Sequence, residues 1–231
     1  MARSAIPRPG HHQGGTVSPV LANAYVHYAL AGWVEKVVKA HGRGEARLCR
    51  YADDWGCAFR YRDDAERFYR VLPKRLGKCN LQVAPEKTRL LRFSRFHPSM
   101  QRFTFLGFEF YWMPDRHGVP RVKRRTARKK LQAACRRITE WIKQHRHLPG
   151  RAFYRRLNTQ LQGHDNSYGL QGNVRSLHRF FERAMRGVFK WRNRRGGKRQ
   201  SFTWEHFTQG LDRVKIARPR ITEVKRRRMF A

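Results

Sequence analysis

The pattern of apolar and polar positions predicts a hairpin near the start of the chain, preceded by a helix. Segments 46–51 and 57–61 are apolar-rich, lack helical spacing and flank a polar tip, as in a β-hairpin. Upstream, Ser18 followed by Pro19 predicts a helix start, with serine as N-cap and proline in the first turn. Apolar residues then recur at near-helical spacing. They are Leu21, Ala24, Tyr25, Tyr28, Trp33, Val34, Val37 and Val38.

The acidic run 63–66 predicts the start of a second helix, because carboxylates are favoured at the positive end of the helix macrodipole. Pro73 should bend this helix. We expect short strands over 81–83 and 103–110, with Gly107 inside the second strand allowing close backbone approach. The expected apolar stripe of the helix is Ala65, Phe68, Val71, Leu72 and Leu76.

From Lys123 onward the spacing predicts helices only. They are expected over 126–144, 151–161, 174–194 and about 201–210. The fold class is therefore α+β. An antiparallel sheet with helices occupies 1–122, and an all-helical domain occupies 123–231.

Composition points to a polyanionic partner. The 231 residues include 52 Lys+Arg and 16 Asp+Glu, so the formal net charge is +36. Such an excess costs self-repulsion unless a polyanion offsets it, which makes nucleic acid the leading partner and an acidic membrane surface the second. Aromatic residues make up 13 % of the chain, which excludes a disordered basic tail.

Cysteine usage and hydropathy favour a soluble, cytoplasmic protein that does not enter a membrane. The four cysteines form no Cys-x-x-Cys pair, so neither a zinc site nor a disulfide framework is expected. Residues 1–15 lack the apolar block of a secretory signal. The most apolar stretch, 20–34, is too short to cross a bilayer.

Candidate chemistry centres on Asp53 and Asp54 at the hairpin tip. Two carboxylates about 4 Å apart repel by roughly 4 kcal/mol at a protein surface, and Mg²⁺ would relieve that repulsion. Adjacent strand residues point to opposite faces, so both acids reach one centre only if the turn breaks the alternation. The alternative is an ordinary polar turn.

Two further features fit phosphate binding. Gly14 and Gly15 precede a helix start, where backbone N–H groups can meet an anion, although an ordinary loop explains them as well. Basic helix faces interleaved with aromatic residues suit an RNA or RNA–DNA duplex, and their alternative is a solvated helix face. The candidate nucleic-acid contacts are Lys123, Arg124, Arg125, Arg128, Lys129, Lys190, Arg192, Arg194 and Arg195.

Several motifs resemble, in order, those of reverse transcriptases. Tyr51-Ala52-Asp53-Asp54 resembles the Tyr-x-Asp-Asp box, and segment 13–23 resembles the Gln-Gly-Gly-x-x-Ser-Pro box. Lys87-Thr88 and the Phe-Leu-Gly-Phe run at 105–108 resemble later boxes of the family palm. Segments 163–173, 190–191, 202–204 and 218–221 resemble the maturase-specific thumb domain of group II intron proteins.

The resemblance implies an RNA-directed DNA polymerase and intron maturase: a partial palm followed by a thumb. Asp53, Asp54 and Lys87 would be catalytic: the two aspartates would bind Mg²⁺, and Lys87 would lie near the nucleotide phosphates. Gln13, Gly14, Gly15, Tyr51 and Ala52 would bind substrate, and Gly107 would hold the primer end. The implied partners are intron RNA, an RNA–DNA duplex and deoxynucleotide triphosphates.

Two departures from the family pattern qualify this expectation. His11-His12 stand where members carry Thr-Pro. The family also has a metal-binding carboxylate upstream of the glutamine box, before the first residue of this sequence. We therefore expect a truncated form with impaired polymerisation, or a partner chain that supplies the missing segment. The alternatives are a non-catalytic RNA-binding splicing cofactor and a remnant of a mobile element.

Overall fold

The computed structural model describes residues 18–96, 101–194 and 201–223. It divides into two compact units, Met1–Ser94 and Arg95–Ala231. The predicted α+β class with small antiparallel sheets is confirmed. The functional division of the chain at 122/123 stays a prediction.

A single long helical segment, α1, opens the first unit. It is α-helical over Ser18–Val26, π-helical over His27–Gly32 and Val34–Val38, and α-helical again over Lys39–His41. The predicted helix is present from Ser18, whereas the predicted N-cap role of Ser18 stays a prediction.

The buried side chains of α1 follow the π-helical turns rather than the predicted 3.6-residue spacing. Five of the eight members of the predicted stripe are exposed, so this part of the prediction is wrong: Leu21, Ala24, Tyr25, Tyr28 and Val37. A hydrogen bond to the fifth residue adds a residue to each turn and shifts the buried face. The fully buried side chains are Ala29, Leu30 and Val34.

The predicted hairpin is confirmed. Strands β1 (Ala46–Tyr51) and β2 (Asp54–Phe59) pair antiparallel, with Tyr51 opposite Asp54. The turn is Ala52-Asp53, and Ala52 has a positive φ of 52°. A positive φ at the first central residue suits the right-handed twist of two-residue hairpins.

Helix α2 (Arg62–Gly77) carries acidic residues in its first turn, as predicted, and Pro73 lies inside it. Phe68, Leu72 and Leu76 are buried, but Val71 is exposed, against the prediction.

The strand predicted at 81–83 is wrong, because Leu81 belongs to the C-terminal cap of α2 and the two residues after it adopt no regular structure. Leu81 N–H donates to Leu76 O and Asn80 N–H to Gly77 O, and Asn80 has φ +50°. This is a Schellman cap, with Asn80 in the left-handed position that glycine usually occupies.

The second unit begins with a three-stranded antiparallel sheet in the order β3 (Phe103–Phe105), β4 (Phe108–Pro114), β5 (Pro120–Thr126). Two predictions are wrong here. Residues 103–110 form a hairpin rather than one strand, because Leu106 and Gly107 adopt φ +49° and +81° in a tight turn.

The second error concerns the start of the helical part, because β5 continues to Thr126 instead of giving way to helix at Lys123. Lys123 pairs with Tyr111 and Arg125 with Glu109, whose carboxylate also binds the Arg125 guanidinium. Cross-strand charge pairing stabilises a strand whose sequence lacks apolar alternation.

Four helices follow: α3 (Arg128–His145), α4 (Gly150–Tyr168), α5 (Val174–Asn193) and α6 (Trp204–Arg213). All four were predicted, although α4 continues beyond its predicted end at 161. Their apolar faces form one core. Its fully buried members are Ile142, Phe153, Leu157, Ala184 and Val188.

Two polar connections join α4 to strand β5 and to the segment 216–223. Asn173, 1 % exposed, accepts from Thr126 N–H and donates to Thr126 Oγ1 and Tyr168 O, each at 2.8 Å. The C-terminal segment 216–223 packs back through Arg220 N–H, which donates to Asp165 Oδ2 at 3.1 Å. Burial raises the pKa of the Asp165 carboxyl, and the Arg220 N–H partly offsets this effect.

Candidate functional site

The hairpin apex presents two acidic residues, Asp53 and Asp54, whose carboxylates have no hydrogen-bond or ion-pair partner among the described residues. Asp53 is exposed in the turn and Asp54 is half-buried at the first position of β2. Among the described residues, none donates a hydrogen bond or an ion pair to either carboxylate. Because no described residue offsets the charge of these two carboxylates, the apex suits a cation.

The two faces of the hairpin differ. One packs against the core of the first unit through Leu48, Trp55, Cys57 and Phe59. Burial raises the pKa of the Cys57 thiol to about 12, which keeps it protonated and excludes it as a nucleophile. The other face is open: a Cβ at Gly56 would meet no atom within 4 Å. It carries Arg47, Cys49 and Tyr51 opposite Ala58, Gly56 and Asp54.

Arg50 fixes the apex to helix α1. Its Nη1 donates to Asn23 Oδ1 at 2.6 Å and to the Ala52 carbonyl at 3.2 Å. One guanidinium therefore joins the turn to a residue of the glutamine box. The sequence analysis missed Arg50, although a cation directly before an acidic turn was an available signal.

Asp53 and Asp54 suit Mg²⁺, which takes carboxylate oxygens together with water and phosphate. Within the described ranges, no group of three or more His, Cys, Asp or Glu side chains is placed to hold a metal ion. The described residues thus offer two carboxylates at the apex, and no further side chain of those types completes the coordination.

The other predicted substrate residues are spread along the chain. Lys87 is exposed in a turn of the first unit, where its N–H donates to Ala84 O at 3.1 Å. Gly107 lies in the β3–β4 turn of the second unit, and its carbonyl accepts from Ala127 N–H at 2.9 Å. Gln13, Gly14 and Gly15 lie outside the described residues.

Three of the predicted nucleic-acid contacts also make structural contacts. The Glu223 carboxylate binds Arg124, and Glu109 binds Arg125. Arg192 Nη1 donates to the Leu148 carbonyl at 3.0 Å. Lys123 is half-buried, Arg128 and Lys129 are exposed, and Arg195 lies outside the described residues.

Four cations surround one indole ring at the adjoining ends of α3 and α5. The Trp191 ring centroid lies 5.8 Å from Lys143 Nζ, 5.5 Å from Arg146 Cζ, 5.4 Å from Lys190 Nζ and 5.3 Å from Arg194 Cζ. Cation–π attraction holds these charges together at a spacing that favours a polyanion. The sequence analysis missed Lys143 and Arg146, which come from a different helix than Trp191.

The N-terminal part of the chain is similar to a known protein family. Residues 7–110 match the family model described as reverse transcriptase (RNA-dependent DNA polymerase). This match supports a reverse transcriptase family. The matched segment contains the Asp-Asp hairpin, Lys87 and Gly107, and it ends within β4. Members of this reverse transcriptase family generally use divalent metal ions and bind nucleic acid.

A search of curated proteins found no significant match. Across the described residues, the helices are too short or too polar to cross a bilayer.

Proposed function

We propose that this chain is an RNA-directed DNA polymerase and maturase of a group II intron. The observation that carries the proposal is the pair Asp53 and Asp54 at a solvent-facing hairpin apex, inside the segment that matches reverse transcriptases. The motifs in 163–221 support the maturase assignment. Its partners are intron RNA, an RNA–DNA duplex and deoxynucleotide triphosphates, and its location is cytoplasmic.

The candidate residues around the hairpin apex have distinct roles in this proposal. Asp53 and Asp54 hold Mg²⁺, which, when bound, offsets the negative charge that develops during phosphoryl transfer. Arg50 keeps the apex against α1. Tyr51, Ala52 and the open face beside Gly56 leave room for a nucleic-acid strand.

The remaining predicted residues would act on the nucleotide and the primer. Gln13, Gly14 and Gly15 bind the incoming nucleotide, and Lys87 supplies a cation that neutralises or protonates the pyrophosphate leaving group. Gly107 supports the primer end. The basic helices and the Trp191 cations bind the phosphates of the duplex.

Primer extension on an RNA template with Mg²⁺ tests the proposal. We expect weak extension by the wild type, because the described residues offer only two metal-binding carboxylates at the apex, and we expect Asp53→Asn and Asp54→Asn each to abolish it while RNA affinity is kept. Asp63→Asn is the matched control, because this exposed carboxylate of the same unit pairs only with Arg43 among the described residues. If all three variants extend the primer as well as the wild type does, the apex is not part of the catalytic site.

One observation favours a second candidate, a non-catalytic RNA-binding splicing cofactor. The described residues place no group of three metal-binding side chains together. This candidate predicts no extension by the wild type. It also predicts RNA affinity that falls steeply with salt and is unchanged in the double variant Asp53→Asn/Asp54→Asn.

A further inference from the structure

A groove of about 400 Å³ runs beside helix α6 in the second unit. We call it the α6 groove. None of the candidate site residues discussed above lines it. Its volume falls in the range of small-ligand sites. The groove is lined by Ser201, Phe202, His206, Gln209, Gly210 and Arg213.

Two exposed aromatic side chains lie at or just before the start of α6, and one of them, Phe202, lines the groove. Phe202 is 59 % exposed, and its backbone N–H and carbonyl both bond to the Asn193 amide at 3.0 Å. Trp204 is 47 % exposed and packs edge-on against Phe189, with ring centroids 5.1 Å apart. Because the backbone is already fixed, stacking a flat ligand on Phe202 requires little further ordering.

Gly210 keeps the groove open. It lies within α6, where a Cβ would meet no heavy atom within 4 Å. Glycine lowers helix stability relative to alanine, and packing does not require it at this position. Its missing side chain therefore leaves space for a ligand.

The charge around the groove matches a phosphate. Arg213 lines it, and no described residue accepts a hydrogen bond from its guanidinium. The neighbouring end of α5 carries Lys190 and Arg194.

We propose that the α6 groove binds an unpaired ribonucleotide, with its base stacked on Phe202 and its phosphate on Arg213. A base within a duplex offers no free face to an aromatic ring, whereas a base in a loop or bulge does. This inference rests on the RNA-binding part of the proposed function and adds a preference for unpaired RNA.

The test compares two single-stranded oligoribonucleotides of equal length, one normal and one with abasic sites. Both carry the same phosphates, so their affinity difference reports base stacking. The variants are Phe202→Ala, Phe202→Tyr and Gly210→Gln. Gly163→Gln is the matched control, because Gly163 is also a helical glycine with open space around its Cβ position.

We expect Phe202→Ala and Gly210→Gln to weaken binding of the normal oligonucleotide about fivefold or more and to leave abasic binding unchanged. Phe202→Tyr should retain affinity. The melting temperatures of Gly210→Gln and Gly163→Gln should equal or exceed that of the wild type. A loss of binding in Gly210→Gln then reports a blocked groove rather than a damaged fold.

Other outcomes overturn the inference. If Phe202→Ala and Gly210→Gln bind the normal oligonucleotide like the wild type, the groove is not a base site, although RNA binding stands. If the wild type binds neither oligonucleotide, both this inference and the RNA-binding part of the proposed function are wrong. If Phe202→Ala loses affinity only for anionic phospholipid vesicles, the groove binds a membrane surface instead.

Discussion

Replacing Asn173 with aspartate should destabilise the second unit in a pH-dependent manner. The side chain is fully buried and joins strand β5 to the end of α4 through three hydrogen bonds. Aspartate has the same shape and still accepts from Thr126 N–H. The Thr126 hydroxyl can rotate to donate to the second oxygen. Only the bond to Tyr168 O has no substitute, because a carboxylate cannot donate.

The magnitude follows from that single lost donor. The Tyr168 carbonyl still accepts from Leu170 N–H at 2.8 Å, so the lost hydrogen bond itself costs about 0.5–1.5 kcal/mol. Burying a carboxylate that faces the Tyr168 oxygen adds a desolvation penalty. We therefore expect Asn173→Asp to lower the free energy of unfolding by about 3 kcal/mol or more at pH 7.

Acid should reverse part of this loss. Burial raises the folded-state pKa of the introduced carboxyl above its unfolded value of about 3.9, so the folded state binds the proton more tightly. Below the folded pKa, the protonated group donates to Tyr168 O again. The stability gap to the wild type should then narrow by up to about 1.4 kcal/mol per pH unit.

Urea unfolding of wild type, Asn173→Asp and Asn166→Asp at pH 7 and pH 5 measures both effects. Asn166 is an exposed residue of α4, and its substitution should change stability by less than about 0.5 kcal/mol. The reasoning is refuted if the two variants are equally stable, or if the gap for Asn173→Asp is the same at both pH values.

Three further predictions concern single side chains. Burial lowers the pKa of His164 to about 4, so the wild type should lose stability as pH falls from about 6.5 towards 4. Urea unfolding of His164→Phe over the same pH range should show a smaller loss of stability. Gly44→Ala should destabilise by about 1–3 kcal/mol in thermal unfolding, because its Cβ would lie 2.6 Å from the Tyr61 ring, whereas Gly56→Ala should be nearly neutral. Arg50→Met should reduce primer extension roughly 10- to 100-fold and leave RNA affinity unchanged, because the substitution frees the apex from α1. Unchanged extension in this variant would contradict a positioning role for Arg50.

The elements that could be predicted from sequence are those whose local pattern agrees with their final environment. The hairpin at 46–59 has apolar flanks and a polar tip, and its inner face is the one that packs. The helices from Arg128 onward carry apolar stripes that all meet one core. Strand β5 was not predicted, because its cross-strand partners stabilise it and its own sequence lacks an alternation of apolar and polar residues.

The same distinction applies to the candidate site. Asp53 and Asp54 are adjacent in sequence, so a local motif reveals them. Arg50 reaches Asn23 in another element. The Trp191 ring also collects cations from a separate helix, Lys143 among them. Contacts of this kind depend on tertiary packing, which neither periodicity nor spacing encodes.

The π-helical turns of α1 give this helix a length that cannot be altered freely. Its first turns carry Asn23 to the Arg50 guanidinium, and its later turns place Trp33 on Phe68 at 5.5 Å. Removing one residue from the α-helical stretch between Asn23 and His27 would rotate Asn23 by about 100° against Trp33, and the acidic tip would then lose its anchor. Removing one residue from a π-helical turn restores ordinary α-helical bonding with much less rotation, so a deletion there should be tolerated better.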